Sequence, residues 1–238
     1  MADKAAIVTG GSSGIGLTIA RMLCEEGYAI TLAARRPAKL EAAAALLGTE
    51  DCDVQHVAGD LSSEQAVRRV VDMHRERFGR LDVLINNAGL GIGAALADIE
   101  TKYLDLQLAL NLRAIVLFYR ECAEMLQAAG AEHGNALVVN TASISGKSGQ
   151  PWLSVYSATK AAVVGFTQSM NKELAAGGVK SCALCPGFVD TPMSDFVKES
   201  IDADEMIHPT DIAEAVRMLL TLSRACVIPE IVFQRPGT

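Results

Sequence analysis

Seven short apolar runs along the chain predict β-strands, and a stretch with helical periodicity follows each of the first six. The runs are Ala5–Thr9, Ala29–Ala34, Val54–Ala58, Val83–Asn86, Leu137–Asn140, Ser181–Cys185 and Ile228–Val232. They are almost continuously apolar, which is typical of strands that are covered on both faces. The hydrophobic pattern therefore predicts a sheet that is buried between two layers of helices.

Helical patterns occupy residues 14–27, 37–47, 62–78, 102–130, 154–176 and 209–223. Two serines before Glu64 predict a capped helix start, and Pro209 suits a first helical turn, whereas Gly130–Gly134 predicts a loop. Strands that alternate with helices predict βαβ units and a parallel sheet. The predicted fold class is α/β, with a doubly wound, seven-stranded parallel sheet. No linker or repeat divides the chain, so we expect one domain over residues 1–238.

The composition narrows the classes of function. The chain has 238 residues, of which 50% are hydrophobic and 21% are charged, and its formal net charge is −7. Such a chain is too apolar to be disordered, and its acidic balance argues against a nucleic acid partner. No apolar run approaches the roughly 20 residues that span a bilayer, and the first residues show no secretion signal. We therefore expect a cytoplasmic protein with no membrane partner.

The cysteines and histidines indicate neither a disulfide framework nor a metal site. The six cysteines are Cys24, Cys52, Cys122, Cys182, Cys185 and Cys226. A large chain without a secretion signal argues against a disulfide framework. Cys182 and Cys185 form a C-x-x-C pair, for which a redox or zinc site is one reading; in a strand, however, residues three apart face opposite sides. The four histidines have no ligand spacing, so we expect no metal.

A glycine-rich loop joins the first strand to the first helix. Its sequence over Thr9–Gly16 follows a G-x-x-x-G-x-G pattern. Glycines allow a tight turn and a close approach of pyrophosphate, and the free N–H groups of a helix N-terminus attract phosphates. The strand before the loop and the helix after it are the context of a dinucleotide site.

The end of the second strand predicts which dinucleotide binds. An acid there would hold a ribose 2′-hydroxyl, as in NAD sites. This strand ends instead in Ala34, Arg35 and Arg36. Because guanidinium groups suit a 2′-phosphate, the sequence predicts NADP (NADPH), with Arg35 on the phosphate. Arg36 either stacks on the adenine or faces solvent. The alternative for both arginines is that they lie in a solvated loop and do not bind the cofactor.

Further motifs follow the glycine-rich loop Thr9–Gly16 along the chain. They are Asp60-Leu61, Asn86-Asn87-Ala88-Gly89, Asn111, Ser143, the Y-x-x-x-K run Tyr156–Lys160, Pro186-Gly187 and Thr191. In this order the motifs resemble the short-chain dehydrogenase/reductase (SDR) family, in its single-domain NADP-preferring branch. The resemblance covers residues 5 to about 223 and implies a Rossmann-like fold and NADP-dependent carbonyl or alcohol chemistry. The predicted cofactor-binding residues are Gly10, Ser12, Ser13, Gly14, Ile15, Gly16, Arg35, Arg36, Asp60, Leu61, Asn87, Ala88, Gly89, Tyr156, Lys160, Pro186, Gly187, Val189 and Thr191.

The predicted catalytic residues are Ser143, Tyr156, Lys160 and Asn111. Tyr156 and Lys160 are four residues apart on a helix and share a face. An ammonium beside a phenol favours the phenolate, so we expect a lowered Tyr156 pKa and acid–base catalysis. Ser143 can donate a hydrogen bond to a substrate oxygen. The resemblance implies that Lys160 holds the nicotinamide ribose and that Asn111 holds a water leading to Lys160; a purely structural Asn111 is the alternative.

The substrate residues are expected in the loops after the catalytic strands. We predict an apolar pocket from Ile92, Ile144, Trp152, Leu153, Phe188 and Met193. We also predict a lid over residues 188–208, with a helical pattern at Ser194–Glu199. Ordinary packing is the alternative role of Trp152.

The end of the chain lacks the V-D-G-G tail of many ketoreductases that act on acyl-carrier substrates. It looks more like the branch with 3-hydroxy-acid and serine dehydrogenases. We expect a small-molecule carbonyl or alcohol substrate and a homodimer or homotetramer. A 3-hydroxy-acid or serine-type dehydrogenase, a 3-oxoacyl-thioester reductase, a protein that binds NADP only to sense it, and a structural or interaction protein are the alternatives.

Overall fold

The computed structural model of the protein describes residues 3–48 and 52–237. It contains one seven-stranded sheet in the order β3-β2-β1-β4-β5-β6-β7, and all of its neighbouring strands are parallel. The strands are β1 (Ala5–Thr9), β2 (Ala29–Ala34), β3 (Val54–Ala58), β4 (Val83–Asn86), β5 (Ala136–Thr141), β6 (Val179–Pro186) and β7 (Glu230–Phe233). The predicted doubly wound α/β fold is thus confirmed.

The first four strands have their predicted bounds, and the last three differ at their ends. β5 and β6 run further than predicted because both are buried along their whole length between neighbouring strands. β7 begins two residues later than predicted, at Glu230, because Pro229 has no N–H with which to join a ladder.

The helices differ from the predicted set at two places in the middle of the chain. They are α1 (Gly14–Glu25), α2 (Pro37–Leu47), α3 (Glu64–Phe78), α4 (Thr101–Leu108), α5 (Ala114–His133), α6 (Ser154–Leu174) and α7 (Pro209–Thr221). The single helix predicted over residues 102–130 is wrong, because a π-helical turn at Ala109–Arg113 separates α4 from α5.

The predicted loop at Gly130–Gly134 is also wrong, since α5 continues to His133 and is capped at Gly134. Gly130 lies inside the helix because the backbone of the turn before β6 passes directly over it. A Cβ atom on Gly130 would be 2.8 Å from the carbonyl oxygen of Gly177. This glycine therefore permits close packing and does not break the helix.

Apolar cores cover both faces of the sheet. One core takes Leu23 of α1 and Val216 of α7, and the other takes Phe118 of α5 and Val163 of α6. Cys182 and Cys185 lie in different cores, which confirms that they face opposite sides of β6. Within residues 3–48 and 52–237, no helix combines the length and the apolar character needed to cross a membrane.

A disulfide joins Cys24, near the end of α1, to Cys52, just before β3. The expectation that the cysteines form no disulfide is therefore wrong for this pair. The two residues are 28 apart in sequence, but β2 and β3 are neighbours and α1 packs on their face, so the two Cα atoms lie 5.4 Å apart. Such a separation is within the usual range for a disulfide.

Removal of this disulfide is expected to lower the stability of the protein. A cross-link that closes a loop of this length restricts the unfolded chain, which is worth about 3 to 4 kcal/mol. The free energy of unfolding in urea should fall by that amount when dithiothreitol is added to the wild-type protein. The Cys24→Ser/Cys52→Ser double variant is the control, and its unfolding curve should not respond to dithiothreitol. Equal wild-type stability with and without the reductant would contradict the cross-link.

Candidate active site

A cleft of about 550 Å³ opens at the carboxyl ends of the central strands. The strand order reverses between β1 and β4, because β2 and β3 lie on one side of β1 and β4 to β7 on the other. The loops that leave β1 and β4 therefore diverge, and ligands of open α/β sheets bind in this kind of crevice. The cleft is lined by residues that follow β1 to β6.

The glycine-rich loop forms one wall of the cleft. Gly10 has a φ of 66°, which favours glycine, and α1 begins at Gly14. A Cβ atom on Gly16 would lie 2.5 Å from the Gly10 carbonyl oxygen, so this position packs the helix against the loop and does not itself line the cleft. Ser12, Ser13 and Ile15 also line it.

The hydroxyl of Thr9 fixes the opposite wall. Its Oγ1 accepts hydrogen bonds from the backbone N–H groups of Asn87 (2.9 Å) and Ala88 (3.0 Å). Asn87 Nδ2 donates to the Thr9 carbonyl at 3.3 Å. The end of β1 thus holds the Asn87–Gly89 segment that follows β4, and these three residues line the cleft as predicted.

The far end of the cleft, below β2, is cationic. Arg35 and Arg36 line it together with Lys39, and none of the three forms an ion pair within the described ranges. Lys39 was not predicted, although Pro37 at the start of α2 places residue 39 in the first turn beside the arginines. Asp60 and Leu61 line the same end, where Asp60 accepts hydrogen bonds from the N–H and the hydroxyl of Ser62.

Ser143, Tyr156 and Lys160 meet at the other end of the cleft. The Lys160 side chain is buried, donates to the Thr141 carbonyl at 2.6 Å, and lies 5.6 Å from the centre of the Tyr156 ring. The Ser143 Oγ donates to the Pro186 carbonyl at 3.5 Å. The Ser143 Oγ also accepts from the N–H of Ser145 at 3.1 Å. A hydroxyl, a phenol and an ammonium are thus gathered around one space.

Burial controls the protonation of this group. It raises the pKa of Tyr156, and the Ser143 hydroxyl opposes this effect only in part. Burial also lowers the pKa of Lys160 to about 8. The expectation of a lowered Tyr156 pKa is therefore wrong in this structure, because desolvation of the phenolate is the largest effect on that pKa. Tyr156 is a phenol at neutral pH and can act as a proton donor.

Asn111 lies at the centre of the π-helical turn and is fully buried. Its Oδ1 accepts from the N–H of Leu90 at 2.9 Å, and its Nδ2 donates to the Leu90 carbonyl at 2.8 Å and to Thr159 at 3.2 Å. Asn111 does not line the cleft, so its direct contacts hold the loop after β4. A Cβ atom on Gly89 would be 3.2 Å from Asn111 Oδ1 and 3.4 Å from Lys160 Nζ, so the two side chains converge behind that loop.

The predicted substrate residues occupy three different environments. Met193 lines the cleft, and Trp152 lines a smaller second cavity. Ile144, Leu153 and Phe188 line neither, so their predicted place in one pocket is wrong. Ile144 packs beneath Gly187, Leu153 packs beside Gly93, and Phe188 makes an edge contact with Phe196.

The loop after β6 runs along one side of the cleft. Pro186, Gly187, Val189 and Thr191 line the cleft as predicted, and Ser194 joins them. The predicted helix at Ser194–Glu199 is instead a 3₁₀ turn at Pro192–Val197. An isolated bridge between Val189 and Ile207 closes the loop at its base, which gives residues 188–208 the form of a flap.

These features fit a nicotinamide dinucleotide. Gly10 and Gly14 place no side chains in the loop, and the N-terminus of α1 begins at Gly14, which suits a pyrophosphate. Asn87, Ala88 and Gly89 form the wall between that loop and the Tyr156–Lys160 end. The cleft is therefore long enough to join a phosphate cradle to an acid–base centre.

A family profile and a curated protein both match most of the chain. Residues 4–202 match the family profile described as short chain dehydrogenase. An uncharacterized oxidoreductase of Staphylococcus aureus is 34% identical over 231 residues, which are 97% of this chain and 96% of that protein.

Two solved structures superpose over almost the whole chain. An alcohol dehydrogenase of Thermococcus sibiricus, complexed with 5-hydroxy-NADP, is 30% identical with a TM-score of 0.85, and 99% of each chain is covered. A 3-ketoacyl-(acyl-carrier-protein) reductase of Brucella melitensis, complexed with NADH, is 28% identical with a TM-score of 0.86, and 98% of this chain and 96% of that chain are covered.

Substitution of Asn111 tests its structural role. Asn111→Leu removes three hydrogen bonds and leaves the Leu90 N–H and carbonyl unpaired, so the free energy of unfolding should fall by about 2 to 4 kcal/mol. Thr159→Val is the matched control, because it removes one of the three bonds and leaves both bonds to Leu90 in place, so it should lose less stability and leave exchange at Leu90 unchanged. Amide hydrogen exchange should become faster at Leu90 in the leucine variant. An unchanged exchange rate at Leu90 in Asn111→Leu would contradict the proposal that Asn111 fixes the loop after β4.

Proposed function

This chain belongs to the short-chain dehydrogenase family, and we propose that it is an NADP(H)-dependent oxidoreductase that interconverts a carbonyl compound and an alcohol. The observation that carries the proposal is the meeting of Ser143, Tyr156 and Lys160 at one end of a cleft whose other end is cationic. A binding protein would not need a phenol, a hydroxyl and a buried ammonium around the same space.

Each of the three side chains has a role that follows from its surroundings. The nicotinamide, when bound, supplies the hydride for reduction. Tyr156 is protonated at neutral pH and donates its proton to the carbonyl oxygen as negative charge develops there. Ser143 donates a hydrogen bond to the same oxygen. In alcohol oxidation, the phenolate form of Tyr156 accepts the proton of the alcohol as the hydride leaves.

Lys160 acts on the tyrosine by its charge. Its ammonium lies 5.6 Å from the Tyr156 ring centre in a buried setting, where charges interact more strongly than in water. It therefore stabilises the phenolate that remains once the proton has been given. Because its pKa is about 8, this support weakens at alkaline pH.

The cationic end of the cleft supports the preference for NADP. The strand ends in Ala34, so there is no acid to bind a ribose 2′-hydroxyl. Arg35, Arg36 and Lys39 present three positive charges without acidic partners within the described ranges. A 2′-phosphate is the group of the cofactor that would complement them.

Tyr156→Phe tests the mechanism. Loss of the proton donor should lower kcat about a hundredfold to ten-thousandfold, while NADPH binding is kept. The measurement is the oxidation of NADPH with a panel of ketones and aldehydes, followed by absorbance. Tyr28→Phe is the control, because Tyr28 is a buried tyrosine that does not line the cleft. If Tyr156→Phe kept full activity, the mechanism would be refuted; if the wild-type protein bound NADPH but turned over nothing, a sensing role would replace the enzyme.

Arg35→Ala tests the choice of cofactor. A charge-assisted hydrogen bond is worth about 1.5 to 3 kcal/mol, so the affinity for NADPH should fall about tenfold to a hundredfold and that for NADH should stay the same. Lys39→Ala should give a smaller loss in the same direction. Arg69→Ala removes an exposed arginine that does not line the cleft and should change neither affinity. Equal affinities of the wild-type protein for NADPH and NADH would contradict the NADP assignment.

A further inference from the structure

We propose that the second cavity, beside Trp152 and Gln107, is a subsite for the distal part of the substrate, and that it takes an apolar body bearing a neutral hydrogen-bond acceptor. This inference rests on the proposed function, because it assumes that the reacting carbonyl lies at Tyr156. It adds a binding site and a class of substrate that the catalytic residues alone do not specify.

The cavity has a volume of about 190 Å³ and shares a wall with the cleft. Ile92–Ala94, the start of α4 and Trp152–Val155 enclose it. Pairs of consecutive residues divide between the two spaces: Gly91 and Tyr156 line the cleft, whereas Ile92 and Val155 line the cavity. A substrate held at Tyr156 is therefore separated from the cavity by a single residue step, both in the Gly91–Ile92 segment and in the Val155–Tyr156 segment.

Gln107 supplies a hydrogen-bond donor to this space. Its side chain is only 2% exposed, and its Oε1 accepts from the N–H of Ile92 at 3.1 Å. That bond fixes the orientation of the amide, since the oxygen must face the N–H. The Nε2 group makes no hydrogen bond to any other residue within the described ranges. Among the described residues, the buried side-chain atoms without a partner are Asn86 Oδ1 and Asn135 Oδ1, so Gln107 Nε2 is open to the cavity and can donate to a group bound there.

Trp152 is held at the cavity in an unfavourable conformation. It is the single non-glycine residue within residues 3–48 and 52–237 that has a positive φ, at 66°. Its carbonyl accepts from the N–H of Ala94 at 2.8 Å, which fixes the turn against the opposite wall. Its side chain is nevertheless 75% exposed. Backbone strain of this kind clusters at functional sites, and an exposed indole offers a flat apolar surface.

The charges at the rim select a neutral ligand. Asp98 lines the cavity and has no ion-pair partner within the described ranges, while Glu100 is paired with Lys102 at 2.7 Å. An anionic group on the ligand would meet the Asp98 carboxylate, and like charges repel. A neutral carbonyl can accept from Gln107 without this repulsion.

A matched series of ketones tests the subsite. Benzylacetone has an aromatic body without a second acceptor; its para-carboxamide adds a neutral acceptor and its para-carboxylate an anionic one. With NADPH, the wild-type enzyme should show the lowest KM for the carboxamide. In Gln107→Glu, the KM for the carboxamide should rise about threefold to tenfold, as expected for one lost hydrogen bond. The kcat/KM for acetone, which cannot reach the cavity, should be unchanged.

Gln107→Glu is informative because its ionised carboxylate keeps the acceptor for the Ile92 N–H and removes the donor. Gln107→Met is its control for the added charge, because it removes the donor without a charge and should raise the KM for the carboxamide in the same way. Trp152→Gly is the second variant. It relieves the positive φ and removes the indole, so the melting temperature should not fall, while the KM should rise for benzylacetone and its derivatives but not for acetone. Equal losses for acetone and the carboxamide in both variants would show a merely structural role and overturn the subsite.

The outcomes separate the subsite from the proposed function. If the wild-type enzyme reduces all of the ketones with equal KM values, the subsite is wrong and the proposed function stands. If it reduces none of them, the proposed function fails, and calorimetric titration of the carboxamide into the wild-type protein and Gln107→Glu decides the subsite. Binding that is weakened in the variant supports the subsite, and equal or absent binding in both overturns it.

Discussion

The reversal of strand order at β1 is the constraint on which the rest of the molecule depends. Because the chain proceeds from β1 to β2 on one side and returns to place β4 on the other, two loops part at the carboxyl end of β1. Thr9 lies at this point and binds the backbone of Asn87 and Ala88 through its hydroxyl. One side chain thus holds the loop after β4 against the end of β1, where the glycine-rich loop begins.

Burial sets the protonation states of Tyr156 and Lys160. Lys160 and Tyr156 are both enclosed. Desolvation raises the pKa of Tyr156 and lowers that of Lys160, so it favours the neutral form of each side chain. The tyrosine is thereby kept as an acid, while the lysine stays close to its own titration at mildly alkaline pH. The Asn111 amide fixes the loop that packs against Lys160, so the surroundings of Lys160 depend on a residue that does not line the cleft.

The sequence was most informative where structure is set by neighbouring residues. The first four strands, the glycine-rich loop and the Tyr156–Lys160 pair follow from local patterns, and the structure agrees with each of them. The errors arise from contacts between distant segments. The π-helical turn accompanies the bonds of Asn111 to a loop 21 residues earlier, and Gly130 stays helical because the turn before β6 passes over it. The disulfide between Cys24 and Cys52 likewise depends on the packing of α1 beside β3.

The disulfide between Cys24 and Cys52 also encloses the residues that form the cationic end of the cleft. Arg35, Arg36 and Lys39 all lie between its two cysteines, whereas the glycine-rich loop lies just before the first of them. The segment that presents the cations is therefore a covalently closed loop that runs from α1 through β2 and α2 to Cys52. Because β2 also pairs with β1 and with β3, the covalent bond and the sheet together restrict the positions of these three side chains.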